Sequence, residues 1–128
     1  MAKLEWKGKT IEELKAMTLE EFAKIASARA RRNIKRGLSE QHKNLLKNVR
    51  AWKPDGKPIR THLRNMFIFP EMVDVRLAVY NGKTFVPVTP TIEMIGRYIG
   101  EFSQTRQKVT HSSPGFGATR SSKYVPLK

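Results

Sequence analysis

The side chains best suited to chemistry in this chain are cations in a dense run. Arg29, Arg31, Arg32, Lys35 and Arg36 fall close together, and Lys43, Lys47, Arg50, Lys53 and Lys57 continue the series with only Glu40 and Asp55 opposing these ten basic residues. A solvated helix face normally mixes signs, so a nearly unopposed run is suited to phosphate. Each phosphate neutralised releases counterions, which makes affinity fall with salt at a log–log slope of about −0.7 to −0.9 per contact. Further candidates for RNA contact are Arg60, His62, Arg64, Asn81, Lys83, Arg106 and Lys108. Near the C-terminus, His111, Ser112, Gly115, Phe116, Gly117, Thr119, Arg120, Lys123 and Tyr124 combine glycines for close approach, hydroxyls, cations and two rings able to stack on bases. That mixture suits an extended segment threading along RNA.

Other chemistries are poorly served. Glu12, Glu13, Glu20 and Glu21 resemble paired carboxylates, yet they follow Thr10 and Thr18 at the spacing of helix capping boxes. His42 lies on an apolar helical face and reads as a core or interface residue. His62 and His111 have no acidic neighbour in sequence to orient them, and no histidine spacing suits a metal. With no cysteine, thiol catalysis, disulfide frameworks and cysteine-based zinc modules are excluded. Gly115-Phe116-Gly117 is not a nucleotide-phosphate loop, because no strand leads into it, no lysine precedes Ser121 and Ser122, and no helix follows. No enzyme activity, cofactor, metal or small-molecule substrate is expected.

The elements that must position these cations fit a single domain of 128 residues. Its net charge of +14 is unevenly laid out: residues 1–28 are neutral, 29–64 carry +10, 65–102 carry −1 and 103–128 carry +5. Near-neutral segments can be buried, whereas the basic ones must face solvent or phosphate. The N-terminal residues have no apolar signal-type region and no run is long enough to span a membrane, so a cytoplasmic location is expected.

The pattern predicts an α+β fold: a small sheet built on a β-hairpin and packed with short helices, preceded by a basic helical hairpin and followed by an extended basic tail. The predicted divisions are a helical basic extension over 1–56, an α+β core over 57–102 and a tail over 103–128. Capping boxes start helices at Thr10 and Thr18. Leu19, Phe22, Ala23, Ala26, Ala30 and Ile34 share one face at about 100° per residue, predicting one helix from Leu19 to Gly37, with Gly37 in the left-handed region. A second long helix starts at Ser39, places His42, Leu45, Leu46, Val49 and Trp52 on one face, and stops at Pro54-Asp55-Gly56. A strand is expected at Ile59 to Thr61, and a buried loop or helical turn at Met66 to Val73, where Met66 and Met72 fill gaps. Alternation over Val75 to Tyr80 and Thr84 to Val88, joined by Asn81-Gly82, predicts a hairpin with a type I′ turn and with Pro87 at an edge or a bulge. A last helix is predicted from Thr89 or Thr91 to Phe102, with Ile92, Ile95, Ile99 and Phe102 as its apolar stripe and Gly96 and Gly100 admitting another backbone. Residues 103–128 have too few aliphatic side chains to build a core and are expected to order on RNA.

Several segments together resemble the universal S-nineteen family of small-subunit ribosomal proteins, called S-fifteen in eukaryotes. These are Asn81-Gly82-Lys83, Glu93-Met94-Ile95-Gly96, Ile99-Gly100-Glu101-Phe102 with Thr105, Thr61-His62-Leu63-Arg64 and Phe69-Pro70-Glu71-Met72-Val73. The closing Ser112 to Lys128 segment, Ala28-Arg29-Ala30-Arg31-Arg32 and Arg36-Gly37-Leu38 are similar to the archaeal and eukaryotic branch. Pro90 departs from the pattern, where an aliphatic residue is expected. The resemblance implies a structural protein bound to small-subunit rRNA in the head, within the 3′ major domain, near the aminoacyl-tRNA and decoding side. It also implies ribosomal protein S-thirteen as neighbour, contact with the large subunit through an intersubunit bridge, and a tail reaching toward tRNA. The alternative compatible with the charge is a DNA-binding architectural protein, which would not need the long Gly/Ser tail.

Overall fold

The computed structural model of the chain describes residues 4–110. The expectations for His111, Ser112, Gly115, Phe116, Gly117, Thr119, Arg120, Lys123 and Tyr124 lie outside the described residues. Both capping boxes form. At the head of α1 (Ile11–Ala16) the Thr10 hydroxyl accepts from the Glu13 amide at 3.5 Å, while the Glu13 carboxylate accepts from the Thr10 amide at 3.1 Å. Thr18 and Glu21 repeat the exchange at 3.4 and 3.0 Å to open α2 (Leu19–Ile25).

The single helix predicted from Leu19 to Gly37 is two helices. The chain leaves helical geometry at Ala26, and Ser27 caps α3 (Ala28–Arg36) by accepting from the Ala30 amide at 3.5 Å. Arg31 then reaches back to the end of α2, donating to the Ala23, Lys24 and Ala26 carbonyls at 3.0, 3.2 and 3.3 Å. A serine cap on one side and a guanidinium satisfying orphan carbonyls on the other make the break cheaper than continuation. The break folds α3 against α2 and puts Phe22 and Ala30 in one core. Gly37 ends α3 at φ +90° and ψ 143°, an extended glycine conformation rather than the left-handed helical one expected.

Ser39 caps α4 (Glu40–Ala51), and of the face predicted for it Leu45, Leu46 and Val49 are buried while His42 and Trp52 are half-buried. The basic helices α3 and α4 are consecutive, but α3 packs mainly on α2 and α4 on β1 and the turn at Pro70–Met72. Trp52 closes α4, its indole N–H donating to the Lys57 carbonyl at 3.1 Å across the Pro54-Asp55-Gly56 break.

The sheet is mixed, in the order β1 (Ile59–Thr61), β2 (Leu77–Tyr80), β3 (Phe85–Val88), with β1 parallel and β3 antiparallel to β2. As the middle strand, β2 buries Leu77, Ala78 and Val79 in succession. Ala78 is covered although alternation turns it away from the core, because the larger Arg60 and Pro87 flank it in register. Pro87 sits on edge strand β3, as expected. The hairpin forms, but its turn is not type I′: Gly82 has φ +100° while Asn81 stays at negative φ. Asn81 closes a four-residue loop, its amide donating to the Thr84 carbonyl at 3.0 Å and its Oδ1 accepting from the Lys83 and Thr84 amides at 3.0 and 2.8 Å. A side-chain acceptor thus replaces the second positive φ.

The last predicted helix is also absent. Two 3-10 turns, Ile92–Met94 and Ile99–Phe102, flank Gly96 at φ +81°. The intervening backbone pairs with a distant segment: Gly96 donates to Ile68, Ile68 to Arg97, Ile99 to Met66 and Gly100 to Arg64, all at 2.8–3.0 Å. A ladder to residues 64–68 outcompetes local helical bonds once Gly96 opens the turn. The predicted close approach is found at Gly100, where a Cβ would lie 2.8 Å from the Arg64 carbonyl oxygen and Cβ. One cluster joins Leu14, Phe22, Ala30, Leu46, Phe69, Met72, Leu77, Val79 and Ile99, so the core runs continuously across residue 56. Among the described residues, four α-helices and a three-stranded mixed sheet make the fold α+β.

Candidate nucleic-acid interface

Helix α3 displays the densest charge. Arg29, Arg32, Lys35 and Arg36 are exposed, and with Ala28 and Arg31 they line an open groove of about 860 Å³ that contains no acidic residue. The Ser27 cap fixes where this helix begins, and Lys35 and Arg36 in its last turn are favoured by the helix dipole. Its cations are therefore presented on a rigid element rather than on a loop. Arg31 differs from them: Nε and Nη2 are committed to the carbonyls of α2.

The remaining predicted contacts divide in the same way. Lys47 and Lys53 are exposed with no acidic partner among the described residues, and Lys43 is paired with Glu40 at 3.4 Å. Arg50 makes a two-pronged bond to Glu71 at 2.8 and 3.0 Å, and this carboxylate raises the guanidinium pKa further, so its charge is permanent but partly neutralised. Arg64 turns inward. Its Nη1 donates to the Tyr80 carbonyl at 2.8 Å and its Nη2 to Gly100 and Ser103 at 2.6 and 2.7 Å, tying β2 to the last turn. Asn81 uses its side chain on its own loop and on the Gln104 carbonyl at 3.4 Å.

Lys83 stands exposed at the hairpin tip, and Arg106 and Lys108 are exposed on chain that belongs to no helix or strand. Arg60 lies over the Phe85 ring at 5.3 Å, and His62 is exposed beside Tyr80 and Phe85. Nothing in the local sequence pairs residue 62 with residues 80 and 85; parallel pairing of β1 with β2 does so. A second feature missed by sequence is a cleft of about 390 Å³ where α3 meets α4, lined by Arg36, Ser39, His42, Asn65, Phe67 and Tyr98 among others. His42 bonds Asn65 there at 3.3 Å, and Phe67 stacks on Tyr98 with centroids 4.2 Å apart. Its members come from separate segments, so no linear motif announces it.

Among the described residues, no group of three His, Asp or Glu could hold a metal ion, and no helix is long and apolar enough to cross a membrane. The arrangement is suited to holding a polyanion: an apolar core positions exposed cations with little freedom to recoil. Residues 32–111 match the family model for ribosomal protein S19. The chain is 52% identical over 124 residues to the small ribosomal subunit protein uS19 of Methanococcoides burtonii, covering 96% of this chain and 88% of that protein. It is 47% identical over 132 residues to the uS19 of Saccharolobus solfataricus, covering 97% of this chain and 94% of its relative. With an α+β fold, a fixed cationic helix and this likeness along nearly its whole length, the chain belongs to the ribosomal protein S19 family.

Proposed function

We propose that this chain is a structural constituent of the small ribosomal subunit that binds small-subunit rRNA in the head, and that its role in translation is structural rather than catalytic. The observation that carries the reading is the acid-free fan of Arg29, Arg32, Lys35 and Arg36 on α3 of an S19-family fold. Lys47, Lys53, Lys83, Arg106 and Lys108 extend the phosphate-binding set, because they too are exposed and unpaired among the described residues. Arg31, Arg50 and Arg64 serve this interface mainly by fixing its geometry. The family resemblance supports a position near S-thirteen and an intersubunit bridge, with the segment from His111 onward reaching toward the decoding side and tRNA.

Sedimentation of a native extract, with and without ribonuclease, tests this reading. Co-migration with the small subunit that disappears after ribonuclease is the expected result. Migration with DNA, or free in the soluble fractions, would overturn it in favour of another polyanionic partner.

A further inference from the structure

Arg60, His62, Tyr80 and Phe85 gather on one side of the sheet. Arg60 is level with Ala78, two positions before Tyr80, which is in turn the cross-strand partner of Phe85. Alternate strand residues share a face, so these side chains lie opposite Thr61, Leu77, Val79 and Val88, which are buried. The ring centroids of His62 and Tyr80 are 4.7 Å apart, those of His62 and Phe85 5.2 Å, and those of Tyr80 and Phe85 5.2 Å. Their planes are inclined at 49°, 77° and 53°, so none of these rings is stacked flat on another. Elsewhere Phe67 on Tyr98 and Trp6 on Phe22 are stacked at 27° and 24°, while the buried Phe22 and Phe69 meet edge-on at 66°. Tyr80 and Phe85 are half-buried, whereas His62 and Arg60 are exposed. The Tyr80 hydroxyl donates to the Gly82 carbonyl at 2.9 Å, which holds its ring in place.

The electrostatics of this face point to one class of ligand. Residues 59–64 and 75–88 contain no Asp or Glu but do contain the exposed Arg60, Arg76 and Lys83, the fourth cation, Arg64, being turned inward. A partly exposed aromatic cluster built on acid-free segments, with Arg60 over the Phe85 ring, complements a planar ring attached to phosphate. We propose that this sheet face stacks an unpaired nucleobase of the bound RNA, with Arg60 and Lys83 at the flanking phosphates. The inference rests on the rRNA-binding reading and adds to it a site that works by stacking rather than by charge. Stacking is sequence-tolerant and releases few counterions, so its loss lowers affinity without flattening the salt dependence.

The test is binding of the full chain to a transcript of the 3′ major domain of small-subunit rRNA, titrated at several salt concentrations. Phe85→Leu and His62→Ala are each expected to weaken binding by about 5- to 100-fold with an unchanged salt slope, the range that loss of one stacked base implies. Phe85→Trp is expected to stay within about twofold of the native chain, since a larger ring still offers a face. His62 is exposed, so its variant reports on the site even where Phe85→Leu disturbs folding. If both variants bind within twofold of the native chain, the stacking proposal fails and the rRNA reading stands. If the native chain shows no salt-dependent binding, both fail together.

Discussion

Two sets of arginines in this protein look alike in sequence and do opposite things. Arg29, Arg32 and Arg36 on α3 fan into an open groove, whereas Arg64 sends both terminal guanidinium nitrogens into the protein, to the Tyr80, Gly100 and Ser103 carbonyls. The difference is one of supply and demand for hydrogen bonds. The Tyr80 carbonyl ends β2 and those of Gly100 and Ser103 lie in and just after a single 3-10 turn, so they need outside donors, and a planar guanidinium can serve several at once. Helix α3 satisfies its own backbone internally and leaves its side chains for a partner. Basic composition therefore overstates the interface: some of the charge builds the scaffold that displays the rest.

The comparison breaks most visibly if the α3 cations are removed together. Replacing Arg29, Arg32, Lys35 and Arg36 by glutamine should reduce the log–log salt slope of rRNA binding by about three, at 0.7–0.9 per contact, and leave the unfolding midpoint nearly unchanged. A salt titration beside a denaturant melt reads both quantities, and an unaltered slope would remove α3 from the interface. Arg64→Met should do the reverse. Loss of charge-assisted bonds to three carbonyls should cost about 3 kcal/mol of stability by denaturant unfolding, with the salt slope of the folded fraction preserved. A variant as stable as the native chain, but with a lower slope, would move Arg64 to the RNA side.

The smallest effect sharpens the account of the scaffold itself. The backbone amide of Thr18, and then its hydroxyl, hold the Glu21 carboxyl below its ordinary value of 4.5. A folded-state pKa below the unfolded one gives stability that is fully present above 4.5 and is lost as the pH falls through the lowered value. The native chain should therefore lose more stability over that acid window than Glu21→Gln, whose amide keeps a neutral acceptor for the cap. Parallel pH dependences for the two would mean that the box contributes no pH sensitivity.

Legibility followed the range of the interactions. Thr10, Thr18 and Ser39 cap within three residues of themselves, so their helices could be read directly. The hairpin was equally local, although Asn81 closed it by a side-chain route that sequence did not distinguish from a type I′ turn. Ser27 was missed because the apolar stripe from Leu19 to Ile34 continues in phase across it, and the break depends on Arg31 reaching back to α2. The stripe of Ile92, Ile95, Ile99 and Phe102 misled for a related reason. Helical spacing records which residues are apolar, and pairing with residues 64–68 uses them without a helix.

Where the charge lies, which short segments start helices, that a hairpin exists and which family the chain resembles are all legible from residue identity or from neighbours a few positions away. Tertiary structure decided which cations are free, where the helices break, and that His62 meets Tyr80 and Phe85. Those outcomes depend on competition for hydrogen-bond partners and burial between segments far apart in the chain, and that competition is settled only when the core closes around them.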